Sequence, residues 1–143
     1  MMPFSAILVV IVLLGIAALH LLWAAGAHWP AKDEATLAKT VVGSKGIQKM
    51  PPQLASLLVG LVLIGAAHVV LAFAGLMQGL MLFQMYRIIL VAMILVFSFR
   101  GLAAYTQHWR AMVPEQPFAR LDQTRYGPLC IVIAALLLDV ALT

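Results

Sequence analysis

Four side chains beside or inside long apolar stretches are the best candidates for chemistry. His20 and Trp23 are three residues apart, so they share one face of any helix that contains them. Arg100 ends a long apolar run, and Asp122 lies in the densest charged cluster of the chain. A histidine within hydrocarbon can relay protons, bind a ligand or hold a metal, and an arginine can pair with a carboxylate or a lipid headgroup. Each also has a purely structural alternative, a neutral histidine bonded within the protein or an arginine whose charged end reaches water.

These four residues predict a polar pocket, for which Asp122 supplies the link. We expect its carboxylate to bridge Arg100, His20 or Arg125 at one mouth of a helix bundle. The alternative is a solvated loop that only anchors the last helix. The two interpretations differ in whether the four side chains converge on one cavity.

The sequence contains no recognised catalytic or cofactor motif. It lacks an HExxH, a CxxC, a glycine-rich phosphate loop and a serine elbow. Its one cysteine, Cys130, lies in an apolar run, where packing is the expected role. His20 and His68 are expected at different depths, which disfavours a haem between them. We therefore predict no metal, no cofactor and no particular catalytic residue.

The composition identifies the surroundings of these residues. Of the 143 residues, 64% are hydrophobic and 10% are charged, and the mean hydropathy is +1.06. A soluble domain has about 25% charged residues to cover its surface. Lipid removes that need, because helices in a bilayer can keep apolar side chains outside. The chain is thus predicted to be all-α, a single membrane domain over residues 1–143 that forms a bundle of four transmembrane helices.

The apolar runs give the bounds of these helices. An earlier start of the third helix, near Gln78, would place Arg87 in mid-membrane at a cost of at least about 2.5 kcal/mol, so we prefer the later start. Ser56 and Gly60 are small residues four apart, which predicts close helix packing. The predicted spans are residues 3–27, 54–74, 85–105 and 126–143.

The basic residues are distributed unequally between the connections. The net charge is +4, but the cations lie between apolar runs and not on one soluble face, so nucleic acid is not an expected partner. The other side of the bundle carries essentially Arg87. The positive-inside rule then places both termini outside and both long loops in the cytoplasm. Those loops carry Lys32, Lys39, Lys45, Lys49, Arg110, Arg120 and Arg125.

Three segments resemble a known family. They are residues 20–24 with Trp29 and Pro30, residues 99–101, and residues 118–122 leading to 126–130. In order and spacing they are similar to the small bacterial membrane proteins grouped as domain of unknown function 3995. The resemblance implies four helices in a bacterial plasma membrane and no assigned activity. It also implies an acidic residue shortly after the arginine of the second segment, but residues 101–105 contain none, so no ion pair within that helix is expected.

Two classes of function remain after these exclusions. The first is a non-enzymatic accessory, sensor or scaffold protein that lives in the lipid bilayer and binds a membrane-protein partner or a second copy of itself. The alternative is an intramembrane enzyme or binder that takes a lipid or small apolar ligand into the predicted pocket. Four spans are few for a transporter, and the sequence shows no internal repeat. A transporter of this size would therefore have to oligomerise. Enzymatic activity is left open.

Overall fold

The computed structural model describes residues 2–143, and all of its regular elements are helical. Four helices are long and apolar enough to cross a membrane, as predicted, and they imply a lipid environment. Three are the single helices α1 (Met2–Ala24), α3 (Gln53–Phe73) and α4 (Phe83–Ala103). The fourth is the continuous run of α6 (Phe118–Leu121), a π-helical turn (Asp122–Tyr126) and α7 (Gly127–Leu142). Two further helices, α2 (Glu34–Val41) and α5 (Gln107–Met112), lie in the connections.

The long helices form a four-membered ring. α1 packs most extensively on α3, α4 packs most extensively on α7, and weaker α1–α7 and α3–α4 contacts close the ring. Gly60 of α3 permits the first pairing, because a Cβ at this position would lie 3.0 Å from Leu21 Cδ2 and 3.4 Å from the Ala17 carbonyl oxygen. The buried core joins all four helices of the ring through residues such as Leu13, Val70, Leu90 and Leu137.

Glycines end two of the long helices earlier than predicted. α1 ends at Ala24 and not near residue 27, because Gly26 adopts a φ of +87° and the Ala27 N–H donates to the Leu22 carbonyl at 3.0 Å. This is the hydrogen bond of a Schellman motif. α3 ends at Phe73 in the same way, with Gly75 at a φ of +70°.

The other two boundaries shift for different reasons. α4 occupies residues 83–103 in place of the predicted 85–105, because Thr106 begins the next helix by accepting the Trp109 N–H on its hydroxyl. The last helix was predicted from residue 126, but the chain is already helical from Phe118.

The two basic connections are folded against each other. α2 was not predicted. Asp33 caps it by accepting the Thr36 N–H at 2.8 Å, and Leu37, a residue of α2, is fully buried. The Glu115 N–H donates to the Gly43 carbonyl at 3.1 Å, and the Gly46 N–H donates to Glu115 Oε1 at 2.9 Å. We call the end of the bundle that carries these two connections the connection end, and the opposite end the terminal end.

Candidate functional site

Among residues 2–143, the carboxylate of Asp122 is the charged group that the fold buries. This side chain is 2% exposed, and its Oδ1 accepts a hydrogen bond from Arg100 Nη2 at 2.6 Å. Its Oδ2 accepts from the indole Nε1 of Trp109 at 2.8 Å. Each carboxylate oxygen therefore has its own donor, which is what a buried charge requires.

Trp109 makes this arrangement a three-residue unit, which we call the Arg100 cluster: Arg100, Trp109 and Asp122. The Arg100 Cζ lies 4.8 Å from the centroid of the Trp109 ring, within cation–π range. The cluster joins α4, α5 and the π-helical turn. Trp109 was not among the residues predicted from the sequence. An indole N–H within the connection that also holds the charged cluster was a usable signal, because this group can only donate.

Close approach of two backbones brings the charged partners together. A Cβ added to Gly101 would lie 2.6 Å from Ile131 Cγ1 and 3.0 Å from the Gly127 carbonyl oxygen. A Cβ added to Gly127 would lie 2.9 Å from the Ala104 Cβ. Only glycine at both positions lets α4 and the start of α7 come this close, and Arg100 precedes the first of them.

One donor of the cluster is left over. Arg100 Nη1 is buried and has no hydrogen-bond partner within residues 2–143. The whole arginine side chain is 30% exposed, so part of it reaches the surface. A guanidinium nitrogen without a protein partner keeps N–H donors that no acceptor uses.

His20 and Trp23 lie in a different place. Their rings are 4.9 Å apart, with a tilt of 58°. His20 Nδ1 donates to the Ile16 carbonyl at 2.9 Å, which leaves Nε2 as the free ring nitrogen. The Trp23 indole N–H donates to the Trp29 carbonyl at 2.8 Å, so it fastens the chain beyond α1.

The two rings line a small cavity between α1, the end of α2 and the start of α3, which we call the His20 cavity. Its volume is about 130 Å³, and it also touches Met50, Ala55 and Ser56. Neither Arg100 nor Asp122 lines it. The structure therefore groups the four candidate residues as two pairs at the connection end, with the carboxylate bonded to Arg100 and Trp109.

The remaining histidine of the membrane spans lies at the terminal end. His68 Nε2 is 3.2 Å from the Tyr86 hydroxyl, which also accepts the Leu80 N–H at 2.6 Å. Through these two hydrogen bonds, the Tyr86 hydroxyl ties the α3–α4 connection to α3. Within residues 2–143, no group of three or more His, Cys, Asp or Glu side chains is close enough to hold a metal ion.

The comparisons with known proteins give one match. The family model described as Protein of unknown function (DUF3995) matches residues 13–137, which cover α2 to α6 completely and most of α1 and α7. No curated protein and no solved structure matches the chain.

Proposed function

Because this chain belongs to the family Protein of unknown function (DUF3995), a description that names no activity, we propose its function from the geometry. The protein is a non-enzymatic accessory, sensor or scaffold protein of a bacterial plasma membrane. Its folded connection end binds a membrane-protein partner or a second copy of the chain. Both long connections face the cytoplasm, and both termini face outside.

The saturated carboxylate of Asp122 is the observation that carries this proposal. A general acid, a general base or a nucleophile must reach a substrate with a free atom. Both oxygens of Asp122 are instead bonded to Arg100 and Trp109, and the side chain is 2% exposed. The Arg100 cluster ties α4, α5 and the π-helical turn together, which is a structural task.

The orientation rests on the distribution of charge. The hydrogen bonds of Glu115 with Gly43 and Gly46 put the two long connections side by side. Those connections and the helix start that follows the second one contain seven lysines and arginines, whereas the α3–α4 connection and the start of α4 contain Arg87. Such an asymmetry favours a cytoplasmic position for the basic side.

Cross-linking in native membranes tests the proposal. The protein is cross-linked before extraction, purified in mild detergent, and its mass is measured by native mass spectrometry. We expect a complex heavier than the 15.5 kDa chain. A parallel sample without cross-linker shows whether the complex survives detergent. A single chain in both samples would contradict the proposal.

The His20 cavity supports a second candidate, binding of a small ligand by His20 and Trp23, two of the four predicted pocket residues. Its 130 Å³ hold about four waters at roughly 30 Å³ each and fall below the ~300 Å³ typical of ligand pockets. A very small molecule would fit, with His20 Nε2 as its polar contact. Ala55→Leu should fill the cavity. Bound small molecules are then extracted from the wild type and from this variant. Equal amounts from the two proteins would rule out this second candidate.

A further inference from the structure

A larger groove lies at the connection end, outside both the Arg100 cluster and the His20 cavity. It is open to the surroundings and has a volume of about 560 Å³, within the range of ligand sites. We call it the arginine groove, because Arg110 and Arg120 are among its lining residues. Its lining residues are Arg110 of α5, Gln116, Pro117, Ala119 and Arg120 of the α5–α6 region, and Gln123 of the π-helical turn.

The positive charge of the arginine groove is not neutralised by the protein. Arg110 and Arg120 are exposed, and within residues 2–143 the one ion pair is that of Arg100 with Asp122. The stretch from Gln107 to Tyr126 contains two acidic residues, and both are turned elsewhere. Glu115 Oε1 accepts the Gly46 N–H, and Asp122 is occupied inside the Arg100 cluster. Two cations therefore border one groove without an anion between them.

The uncharged walls add further donors. Gln116 Oε1 accepts the Arg120 N–H at 3.3 Å, which leaves the amide NH₂ of Gln116 as the unused part of that side chain. The wall formed by Gln123 is fixed, because its carbonyl accepts the Tyr105 hydroxyl at 2.9 Å. A complementary ligand must be anionic and must present several acceptor oxygens. Planar guanidinium forks match phosphate oxygens in this way.

We propose that the arginine groove binds a phosphate group, carried either by the headgroup of an anionic lipid or by a soluble phosphate compound. The headgroup source fits the location of the groove. Tyr105, whose hydroxyl donates to the carbonyl of the groove residue Gln123, is 50% exposed, so an exposed aromatic ring lies beside the groove. An aromatic ring beside basic residues is typical of the membrane interface.

The experiment compares two lipids with matched acyl chains, one with an anionic and one with a zwitterionic headgroup. Purified full-length protein is titrated with phosphatidylglycerol or with phosphatidylcholine, and retained lipid is counted by native mass spectrometry. We expect preferential retention of the anionic lipid. Arg110→Gln and Arg120→Gln should each weaken it about fivefold, the effect of one cation near an anionic surface. Arg125→Gln, an exposed arginine of the π-helical turn that does not line the groove, is the control and should retain lipid like the wild type.

A second arm separates the two sources of phosphate. The same proteins are titrated with inorganic phosphate in lipid-free detergent, with tryptophan fluorescence as the signal. Saturable binding that Arg110→Gln weakens would indicate a soluble ligand, and binding in the lipid arm alone would indicate a headgroup. Equal weakening by the Arg125 control, or no dependence on Arg110 and Arg120 in either arm, would overturn the proposal. Thermal unfolding of each variant shows that it is folded; all three arginines are exposed, so we expect wild-type stability.

Discussion

Removal of either charged partner of the Arg100 cluster should destabilise the protein, and the two losses should not add. In Arg100→Ala the carboxylate of Asp122 stays buried with Trp109 as its one remaining partner. In Asp122→Ala the guanidinium loses its counter-ion but keeps a route to the surface, because 30% of its side chain is exposed. The arginine can relax toward water in a way that the aspartate cannot.

These differences set the expected magnitudes. Breaking a buried ion pair by deleting one partner costs about 3–5 kcal/mol, and partial exposure lowers that figure. We therefore expect a loss of roughly 3 kcal/mol for Arg100→Ala and roughly 2 kcal/mol for Asp122→Ala. The double variant leaves no unpaired charge, so its loss should fall about 1–3 kcal/mol short of the sum.

Equilibrium unfolding in mixed detergent micelles, followed by tryptophan fluorescence, measures all three variants. Asp139→Asn is a matched control, because Asp139 is an exposed carboxylate of the same helical run whose Oδ2 accepts the Ser5 hydroxyl. Its effect should stay below about 1 kcal/mol, as for other exposed polar contacts. If the losses at Arg100 and Asp122 add to within about 0.5 kcal/mol, the two residues act independently and the structural role assigned to the pair is wrong.

Three further predictions concern the packing, the loop and the orientation. Gly101→Ala should lower the free energy of unfolding by about 1–3 kcal/mol in the same assay, because its Cβ would clash with α7. Gly65→Ala is the control, because a Cβ there faces open space and should not destabilise the protein. Equal effects of the two substitutions would refute the close approach of α4 and α7. The hydrogen bonds from the start of α2 lower the pKa of Asp33 below its usual 3.8, so the capping contribution is complete above that value and is lost as the pH falls through the lowered pKa. The protection factors of the α2 amides should fall over this acidic range in wild type but not in Asp33→Asn, and identical profiles would remove the cap from the explanation. In a background without the native cysteine, Lys45→Cys should resist an impermeant maleimide on intact cells and Thr143→Cys should react; the reverse would invert the topology.

The sequence predicted the long helices well because their signal is simple. An apolar run of twenty residues can satisfy its backbone in lipid as a helix and in few other ways. The bounds were less accurate because they depend on backbone conformations, such as the left-handed Gly26 and Gly75, whose hydrogen bonds are not visible in hydropathy. α2 was missed because its polar residues outnumber the one buried leucine, Leu37, that anchors it.

The candidate site was predicted in part, and the reason is geometric. Arg100 was one of three partners considered for Asp122, and the structure joins these two residues at 2.6 Å. His20 was one of three partners considered for Asp122, but it bonds the Ile16 carbonyl within its own helix. The depth of a residue along its helix can be counted from the sequence. The direction in which its side chain faces within the ring of four helices depends on which helices pair. That pairing is decided by contacts such as Gly60 with Ala17, which no single segment reveals.

The two helix pairs suggest how the bundle is held together in lipid. Apolar burial gives little drive for association there, because lipid tails are as apolar as the side chains they replace. Each pair instead has a close backbone approach: Gly60 against α1, and Gly101 against α7. The α4–α7 pair has the Arg100 cluster in addition, whereas α3 and α4 share fewer contacts than either pair. A side-chain hydrogen bond bridges each seam between the pairs, Ser5 with Asp139 between α1 and α7 and His68 with Tyr86 between α3 and α4, so the bundle consists of two closely packed pairs that polar contacts join.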